Sequence, residues 1–397
     1  MFEKASNRFE AGDPAAARDI LLRLLDHLPD NPYILTHLGT TTYQTGNSEL
    51  ARAYLERAVA VQPDLDEAWR NLAQLSFEMG DMDGAIAAFT RLCQLTPSDP
   101  QAHAWRGNVL QETARYPEAL AAYEAALALD PQSAGLWVKK SRVLLQEGSW
   151  EAALDATERA TAVQPGCTGA LALRSVALAE LGREGEWREL VDFERLIQTF
   201  TVDTPAGFDD MGAFNRALSA FCIEHPTLTF NPSDNTTTEG SQTANFSGDA
   251  VVGPLRGLHA AIARCADAYA AAHPPAPGHP FLGQRPDACA IVIWGTVLAR
   301  HGHQSSHIHR DAWLSGVYYA QAADVLRDAE GDHAGWIEFG RPQPYAKAKA
   351  IPTVRRYPPV EGTLYMFPSY FYHRTIPFAA DVQRVSIAFD LIPARRA

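Results

Sequence analysis

The chain has 397 residues, of which 46% are hydrophobic and 20% charged, and its formal net charge is −13 at pH 7. A chain of this length provides enough material for two or more domains, each with its own core. An acidic surface repels phosphate backbones, which argues against nucleic acid as a partner. No apolar run reaches the roughly 18 residues needed to cross a bilayer, so we expect no membrane-spanning segment.

The start of the chain and the cysteines both favour a cytoplasmic location. The opening residues, MFEKASNRFEAGD, lack a basic stretch followed by an apolar stretch, so we expect no secretory signal. The five cysteines lie far apart and form no CxxC pair; they are Cys93, Cys167, Cys222, Cys265 and Cys289. This pattern predicts reduced, mostly buried thiols rather than a disulfide framework or a zinc knuckle.

The N-terminal half of the sequence repeats at an interval of 34 residues. Proline, glycine and alanine each recur with this period, and Ala114 replaces the one missing glycine; the members are Pro29, Pro63, Pro97, Pro131 and Pro165, then Gly12, Gly46, Gly80, Gly148 and Gly182, then Ala17, Ala51, Ala85, Ala119 and Ala153. Three residue types with one shared period indicate a repeat array.

Each repeat reads as a pair of helices. In residues 66–97, Trp69, Leu72 and Leu75 lie on one helical stripe, and Gly80 ends that helix. A second helix follows and stops at Pro97. Because each pair buries its stripe only against a neighbour, we expect the units to stack.

The repeats resemble the tetratricopeptide repeat family over about residues 1–199. One set of matching positions is Trp69, Leu72, Gly80, Ala85, Phe89 and Pro97, and a second is Gly107, Ala119, Tyr123, Ala126 and Pro131. The resemblance implies an α-solenoid, a superhelix with a groove that binds peptides or protein surfaces. A purely structural role, such as dimerisation or spacing, is the alternative.

The second half, residues 200–397, has a different pattern. Loop-forming residues dominate after about Phe200, with two helical stretches at about 211–223 and 252–272. From about 285 to 392, short runs rich in β-branched and aromatic residues alternate with turns. These runs predict an all-β jelly roll with flanking helices, so the chain is multidomain, α followed by β.

The stretch SSHIHRDAWLSGVYY, residues 305–319, contains His307, His309 and Asp311 at every second position. On a β-strand these three side chains would share one face. His373 follows several β segments later, so a closed sandwich can bring it beside them. Two histidines and a carboxylate that leave positions open are the ligands expected of a non-haem Fe(II) oxygenase.

A second pair of residues points to an anion site. Arg384 and Ser386 are two positions apart in the apolar run QRVSIAF, so both face the same way from a strand. The guanidinium fork matches a carboxylate, and an arginine inside a barrel needs such a partner. A salt bridge to a protein carboxylate, or an outward-facing pair, is the alternative.

The order of these motifs over about residues 205–392 resembles the Fe(II)/2-oxoglutarate-dependent dioxygenases. In particular it resembles a bacterial and phage branch with His-x-His-Pro followed by SGVYY, although Arg310 stands at the proline place. The resemblance implies Fe(II) held by His309, Asp311 and His373.

A second register, with His307 in place of Asp311, makes a three-histidine site. The first is favoured because a carboxylate helps to neutralise Fe(II).

The same resemblance implies the co-substrate and the reaction. The far carboxylate of 2-oxoglutarate would bind Arg384 and Ser386. Tyr319, whose side chain would face the same way as His309 along an alternating strand, is a candidate contact in the same pocket. Joined to the repeats, such a domain would hydroxylate a peptide or protein. The alternatives are a small-molecule oxygenase whose repeats oligomerise or recruit it, a metal enzyme of the cupin sort without 2-oxoglutarate, and a non-catalytic scaffold with a degenerate barrel.

Overall fold

The computed structural model describes residues 1–233, 236–326, 331–345 and 347–394. The chain divides into two compact units, Met1–Glu147 and Gly148–Ala397. No helix in these described ranges is long and apolar enough to cross a membrane. All five cysteines are free thiols.

The N-terminal unit consists of antiparallel helix pairs. Its helices are α1 (Phe2–Glu10), α2 (Pro14–His27), α3 (Pro32–Gln44), α4 (Ser48–Val61), α5 (Asp66–Glu78), α6 (Met82–Leu95), α7 (Pro100–Glu112), α8 (Tyr116–Leu129) and α9 (Ala134–Glu147). The predicted α-solenoid is confirmed, because each helix packs on the next along the chain.

The 34-residue period recurs in the packing. Ala51, Ala85 and Ala119 are fully buried, which lets the paired helices approach closely. The indole of Trp69 donates to the carbonyl of Pro63 at 3.0 Å, and two periods later the indole of Trp137 donates to the carbonyl of Pro131 at 3.1 Å. Repetition of one contact at one spacing explains why the sequence period predicts the structure here.

Helices in the array end at a residue with left-handed backbone conformation, which is usually glycine. Ala114 adopts the same conformation although it is an alanine. Gly80 ends its helix with φ of 78°, while Ala114 takes the equivalent place with φ of 55°. A residue with a Cβ pays about 1 kcal/mol for this conformation.

We therefore expect Ala114→Gly to raise the free energy of unfolding by about 1 kcal/mol, and Gly80→Ala to lower it by a similar amount. A Cβ added at Gly80 would meet no atom within 4 Å, so strain in φ is the cause in both variants. Equilibrium urea unfolding measures both. Equal midpoints for the two variants would contradict the assignment.

The C-terminal unit contains further helices and two antiparallel sheets. The helices are α10 (Trp150–Val163), α11 (Thr168–Glu180), α12 (Glu184–Leu190), α13 (Phe193–Leu196), α14 (Met211–Glu224) and α15 (Pro254–Ala272). The strands are β1 (Gln198–Thr201), β2 (Thr229–Phe230), β3 (Thr237–Gln242), β4 (Cys289–Gln304), β5 (Leu314–Gln321), β6 (Ile337–Phe339), β7 (Arg355–Tyr357), β8 (Thr363–Pro368), β9 (His373–Thr375) and β10 (Arg384–Pro393).

The larger sheet has the order β1-β8-β5-β10-β4-β3-β2 and the smaller one β7-β6-β9, with every strand pair antiparallel. Phe339 of the small sheet meets Phe367 of the large sheet at a ring separation of 4.7 Å, and both rings are buried. Two antiparallel sheets with this core and flanking helices confirm the predicted fold class and are consistent with a jelly roll.

Two local expectations differ from the structure. The helical segment expected to reach Phe200 ends at Leu196, and β1 follows, paired with β8. Part of the predicted loop region forms β2 and β3. The domain boundary near residue 199 stays a prediction; within the C-terminal unit α12 contacts the β segments, because Tyr370 donates to the carbonyl of Leu190 at 2.6 Å.

Candidate metal centre

Three histidines converge where the two sheets meet. His307 forms an isolated antiparallel bridge with His373, with backbone N–O distances of 3.0 and 3.1 Å. The amide of His309 donates to the carbonyl of Ser369 at 3.0 Å, which brings its ring to the same point. The potential ligand nitrogens of the three rings all lie within 4.8 Å of one another.

The hydrogen bonds determine which nitrogen of each ring faces the centre. Nδ1 of His307 contacts the carbonyl of Ser305 at 2.7 Å, and Nδ1 of His373 contacts the carbonyl of Phe371 at 2.9 Å. A carbonyl oxygen only accepts, so Nδ1 carries the proton in both rings. The lone pair is therefore on Nε2, the form in which imidazole binds a metal.

His309 is oriented by a carboxylate. Its Nδ1 lies 2.6 Å from Oδ1 of Asp390, and Ser315 donates to the same oxygen at 2.6 Å. A carboxylate behind a ligating histidine holds the tautomer and makes the ring a stronger ligand. Asp390 thus supplies a negative charge to the centre through His309.

Burial keeps two of the rings neutral. Burial first, and the nearby His309 second, lower the pKa of His307 to about 3. Burial, followed by repulsion from His307 and His309, holds the pKa of His373 well below its ordinary value. Their lone pairs are therefore available at neutral pH, as metal ligation requires.

Asp311 is not part of this group, and its ligand role stays a prediction without support from the geometry. Its side chain is exposed, and among the described residues the metal-competent group consists of the three histidines. The alternation of side chains along a strand does not extend from His309 to Asp311, because β4 ends at Gln304 and the chain bends at residues 310–311 before β5 begins.

Arg384 is buried and lies inside the barrel. It is 1% exposed; Nη1 donates to the carbonyl of Gly335 at 2.6 Å and Nη2 to Oγ1 of Thr375 at 3.2 Å, while Nε has no acceptor among the described residues. No carboxylate in the described ranges forms an ion pair with it. Burial lowers its pKa, opposed by Tyr319.

Ser386 and Tyr319 lie beside this guanidinium. Tyr319 pairs directly with Ser386 across β5 and β10, at a register shift between Val385 and Ser386. The Arg384 guanidinium lies 5.3 Å from the centre of the Tyr319 ring. Both side chains are buried, so the three residues predicted to bind the co-substrate are together in the structure.

Thr296 is a polar residue of this pocket that the sequence analysis did not find. It pairs with Ser386 across β4 and β10, so the two side chains share a face. Its hydroxyl is buried and has no partner among the described residues, like Nε of Arg384. Two orphaned donors in one buried pocket fit the oxygens of a bound carboxylate.

The metal centre and the arginine pocket are neighbours. Thr375, which contacts Arg384, and His373 are two positions apart on β9, about 6.6 Å along the strand and on the same face. This separation suits a diacid that is held by its two ends.

Asp390→Asn is expected to weaken binding of a divalent metal about 10- to 100-fold, since it removes the charge behind His309. Equilibrium titration of the full chain with Co(II), followed by its absorption spectrum, measures this. Asp311→Asn removes one charge at an exposed position and is the matched control; equal losses in both variants would contradict the role of Asp390.

Comparison with family models assigns both parts of the chain. Residues 37–100 and 110–176 match two tetratricopeptide repeat models, and residues 292–390 match a model described as "Putative 2OG-Fe(II) oxygenase". This last range contains all the predicted site residues and Asp390. The comparison with curated proteins finds no match.

Solved structures similar to this chain include MamA and YrrB. A crystal structure of MamA is 21% identical, covers 40% of this chain and 94% of its own, and has a TM-score of 0.39. MamA from Desulfovibrio magneticus RS-1 is 14% identical, with coverages of 41% and 92% and a TM-score of 0.38. YrrB, described as a TPR protein with an unusual peptide-binding site, is 16% identical, with coverages of 43% and 89% and a TM-score of 0.39.

At these identities and TM-scores the solved structures add nothing about function, and the family models carry the assignment. The chain therefore joins tetratricopeptide repeats to a domain of this 2OG-Fe(II) oxygenase family.

Proposed function

We propose that the chain is an Fe(II)- and 2-oxoglutarate-dependent dioxygenase that hydroxylates a peptide or protein recruited by its repeats. The observation that carries the proposal is the group of three histidines, each with Nδ1 bonded to an acceptor, beside a buried arginine that has no carboxylate partner among the residues the structure describes. A cytoplasmic location belongs to the same proposal, because free thiols persist in reducing compartments.

In this proposal His307, His309 and His373 are the metal ligands. The three-histidine set is favoured over the set with Asp311 because only the histidines converge. A carboxylate ligand was favoured because it would neutralise part of the charge of Fe(II). In the three-histidine set, other groups would supply that negative charge. Asp390 acts through His309, and a dianionic co-substrate would add its own negative charge beside the metal.

The pocket beyond the metal would hold the co-substrate. Arg384 and Thr296 offer unpaired donors to its far carboxylate, and Ser386 and Tyr319 enclose it. When bound, the metal and 2-oxoglutarate would supply oxidative decarboxylation coupled to hydroxylation, while the protein supplies position and a dry pocket. The burial of Arg384 and Tyr319 excludes water from this end.

The repeats contribute a polar row that suits a peptide. Asn71 donates to Thr40 at 3.3 Å in the preceding repeat, and Lys139 donates to Asn108 at 2.7 Å. These half-exposed amide and ammonium groups link neighbouring repeats and can also bond a peptide backbone. We therefore propose a protein or peptide substrate, because it would use both the repeats and the oxygenase domain.

The direct test is formation of succinate from 2-oxoglutarate by the full chain with Fe(II) in air. We expect turnover in the parent protein and loss of it in His373→Ala, because the histidine is one of three ligands. Undiminished turnover in that variant, or none in the parent protein at any Fe(II) concentration, would refute the proposed function.

A further inference from the structure

A second concave site lies within the C-terminal unit. A cavity of about 1240 Å³ is bounded by α11–α13 on one side and by the segment that follows β6 on the other. Ser306 and Arg374, the chain neighbours of His307 and His373, line it, whereas the three histidines do not. The cavity is therefore adjacent to the candidate metal centre but separate from it.

One wall of the cavity is formed by part of a basic stretch of the chain. Residues 340–356, which we call the basic segment, contain no aspartate or glutamate and five cationic residues: Arg341, Lys347, Lys349, Arg355 and Arg356. This concentration contrasts with the net charge of −13 of the whole chain. Of these five, Arg341 and Arg355 line the cavity, and local positive charge in an acidic protein attracts anionic ligands.

The centre of this wall is a carboxylate shared by three arginines. Glu338, in the middle strand of the small sheet, is fully buried. It accepts from Nε of Arg341 at 2.7 Å, of Arg356 at 2.8 Å and of Arg374 at 2.7 Å. Burial opposes ionisation, yet the hydrogen bonds from the arginines hold the pKa of Glu338 below its ordinary value. Three cations around one anion leave a net positive charge.

Two of these arginines have donors directed to the cavity. Arg341 and Arg374 line it, with side chains 40% and 30% exposed, and their Nη groups have no acceptor among the described residues. Arg356 makes the same bond to Glu338 but does not line the cavity. Arg356 is therefore the matched control for Arg341 and Arg374.

The acidic residues on the helical wall already have partners. They are Glu180, which accepts from the amides of Lys349 and Ala350 at 2.9 Å, Glu184, paired with Arg188 at 2.6 Å, Asp192, which caps α13, and Glu194, paired with Arg355 at 2.8 Å. Among the described residues, none of these four carboxylates bonds to the guanidinium groups of Arg341 or Arg374.

We propose that this cavity binds an extended acidic segment of the substrate, whose carboxylates are held by Arg341 and Arg374. A volume of about 1240 Å³ is more than the roughly 300–1,000 Å³ that a small ligand occupies, so a peptide fits better. Because Arg374 and His373 are neighbours on β9, their side chains point to opposite faces. The cavity therefore lies on the face of β9 opposite the metal centre, one residue away along the strand, and the assignment of the bound segment to the substrate rests on the proposed function.

The test measures binding to the metal-free full chain by fluorescence anisotropy. The probe is a short fluorescein-labelled peptide of alternating aspartate and glycine, compared with the asparagine version and with a phosphoserine version. We expect the aspartate peptide to bind and the asparagine peptide to bind at least about tenfold more weakly, since charged hydrogen bonds are lost. Arg341→Gln should weaken the aspartate peptide about tenfold, and Arg356→Gln less than about twofold.

Each outcome separates this site from the proposed function. Absent binding, equal binding of the asparagine peptide, or equal losses in the two variants would overturn the inference, even with succinate formation intact. Tighter binding of the phosphoserine peptide than of the aspartate peptide would replace carboxylate by phosphate as the recognised group and would also overturn it. Selective binding with no succinate formation would leave the site standing and remove the oxygenase proposal.

Discussion

His307→Ala is expected to lower the affinity for a divalent metal by more than about 100-fold, beyond the range typical of residues that only support a ligand. The reason is that the three Nε2 atoms converge, and an alanine leaves two ligands in a buried site. Co(II) titration of the full chain and succinate formation with Fe(II) both measure the loss.

Asp311→Ala is the matched comparison, because Asp311 is the residue that the sequence pattern predicted as the third metal ligand. Its side chain is exposed and lies outside the histidine group, so we expect its metal affinity and turnover to stay within about twofold of the parent protein. The opposite order, a large loss in Asp311→Ala with His307→Ala unaffected, would restore the His309, Asp311 and His373 set.

Arg384→Met is expected to raise the concentration of 2-oxoglutarate needed for half-maximal turnover by about 10- to 100-fold, since a charged hydrogen bond contributes about 1.5–3 kcal/mol. Binding of the co-substrate to the metal-loaded protein, measured by calorimetry, should weaken by the same factor. Arg384→Lys keeps the charge without the planar fork and should give an intermediate loss.

A stability measurement distinguishes a binding role from a structural one. Arg384 is buried and has no carboxylate partner in the described part of the chain, so its charge is costly in the absence of ligand. The midpoint of urea unfolding of Arg384→Met, without 2-oxoglutarate, should therefore equal or exceed that of the parent protein. A strongly destabilised variant would indicate that the arginine stabilises the barrel through Gly335 and Thr375 instead.

Prediction from the sequence succeeded where the signal is local and repeated. The 34-residue period brings equivalent contacts to several units, such as the bonds from Trp69 to Pro63 and from Trp137 to Pro131. Period-two runs likewise identified β4, β5, β6, β8 and β10 to within a few residues. Arg384 and Ser386, which alternation along β10 predicts on one face, are both buried.

The same parity contained a signal that the sequence analysis did not use. Asp390 has the parity of Arg384 and Ser386, so its position on the inner face was predictable. Its contact with His309 was not, because the two residues are 81 positions apart. Thr296 was missed for a similar reason: its place opposite Ser386 depends on the register between β4 and β10.

Local sequence alone was therefore enough for the stacked helices, the strand runs and the short list of histidines and arginine, because periodicity acts within a few residues. Which side chains actually meet was decided by the tertiary fold. The bend at residues 310–311 removes Asp311 from the group, while the bridge between His307 and His373 adds His307 to it. Such contacts join distant segments, and strand pairing rather than spacing along the chain brings them together.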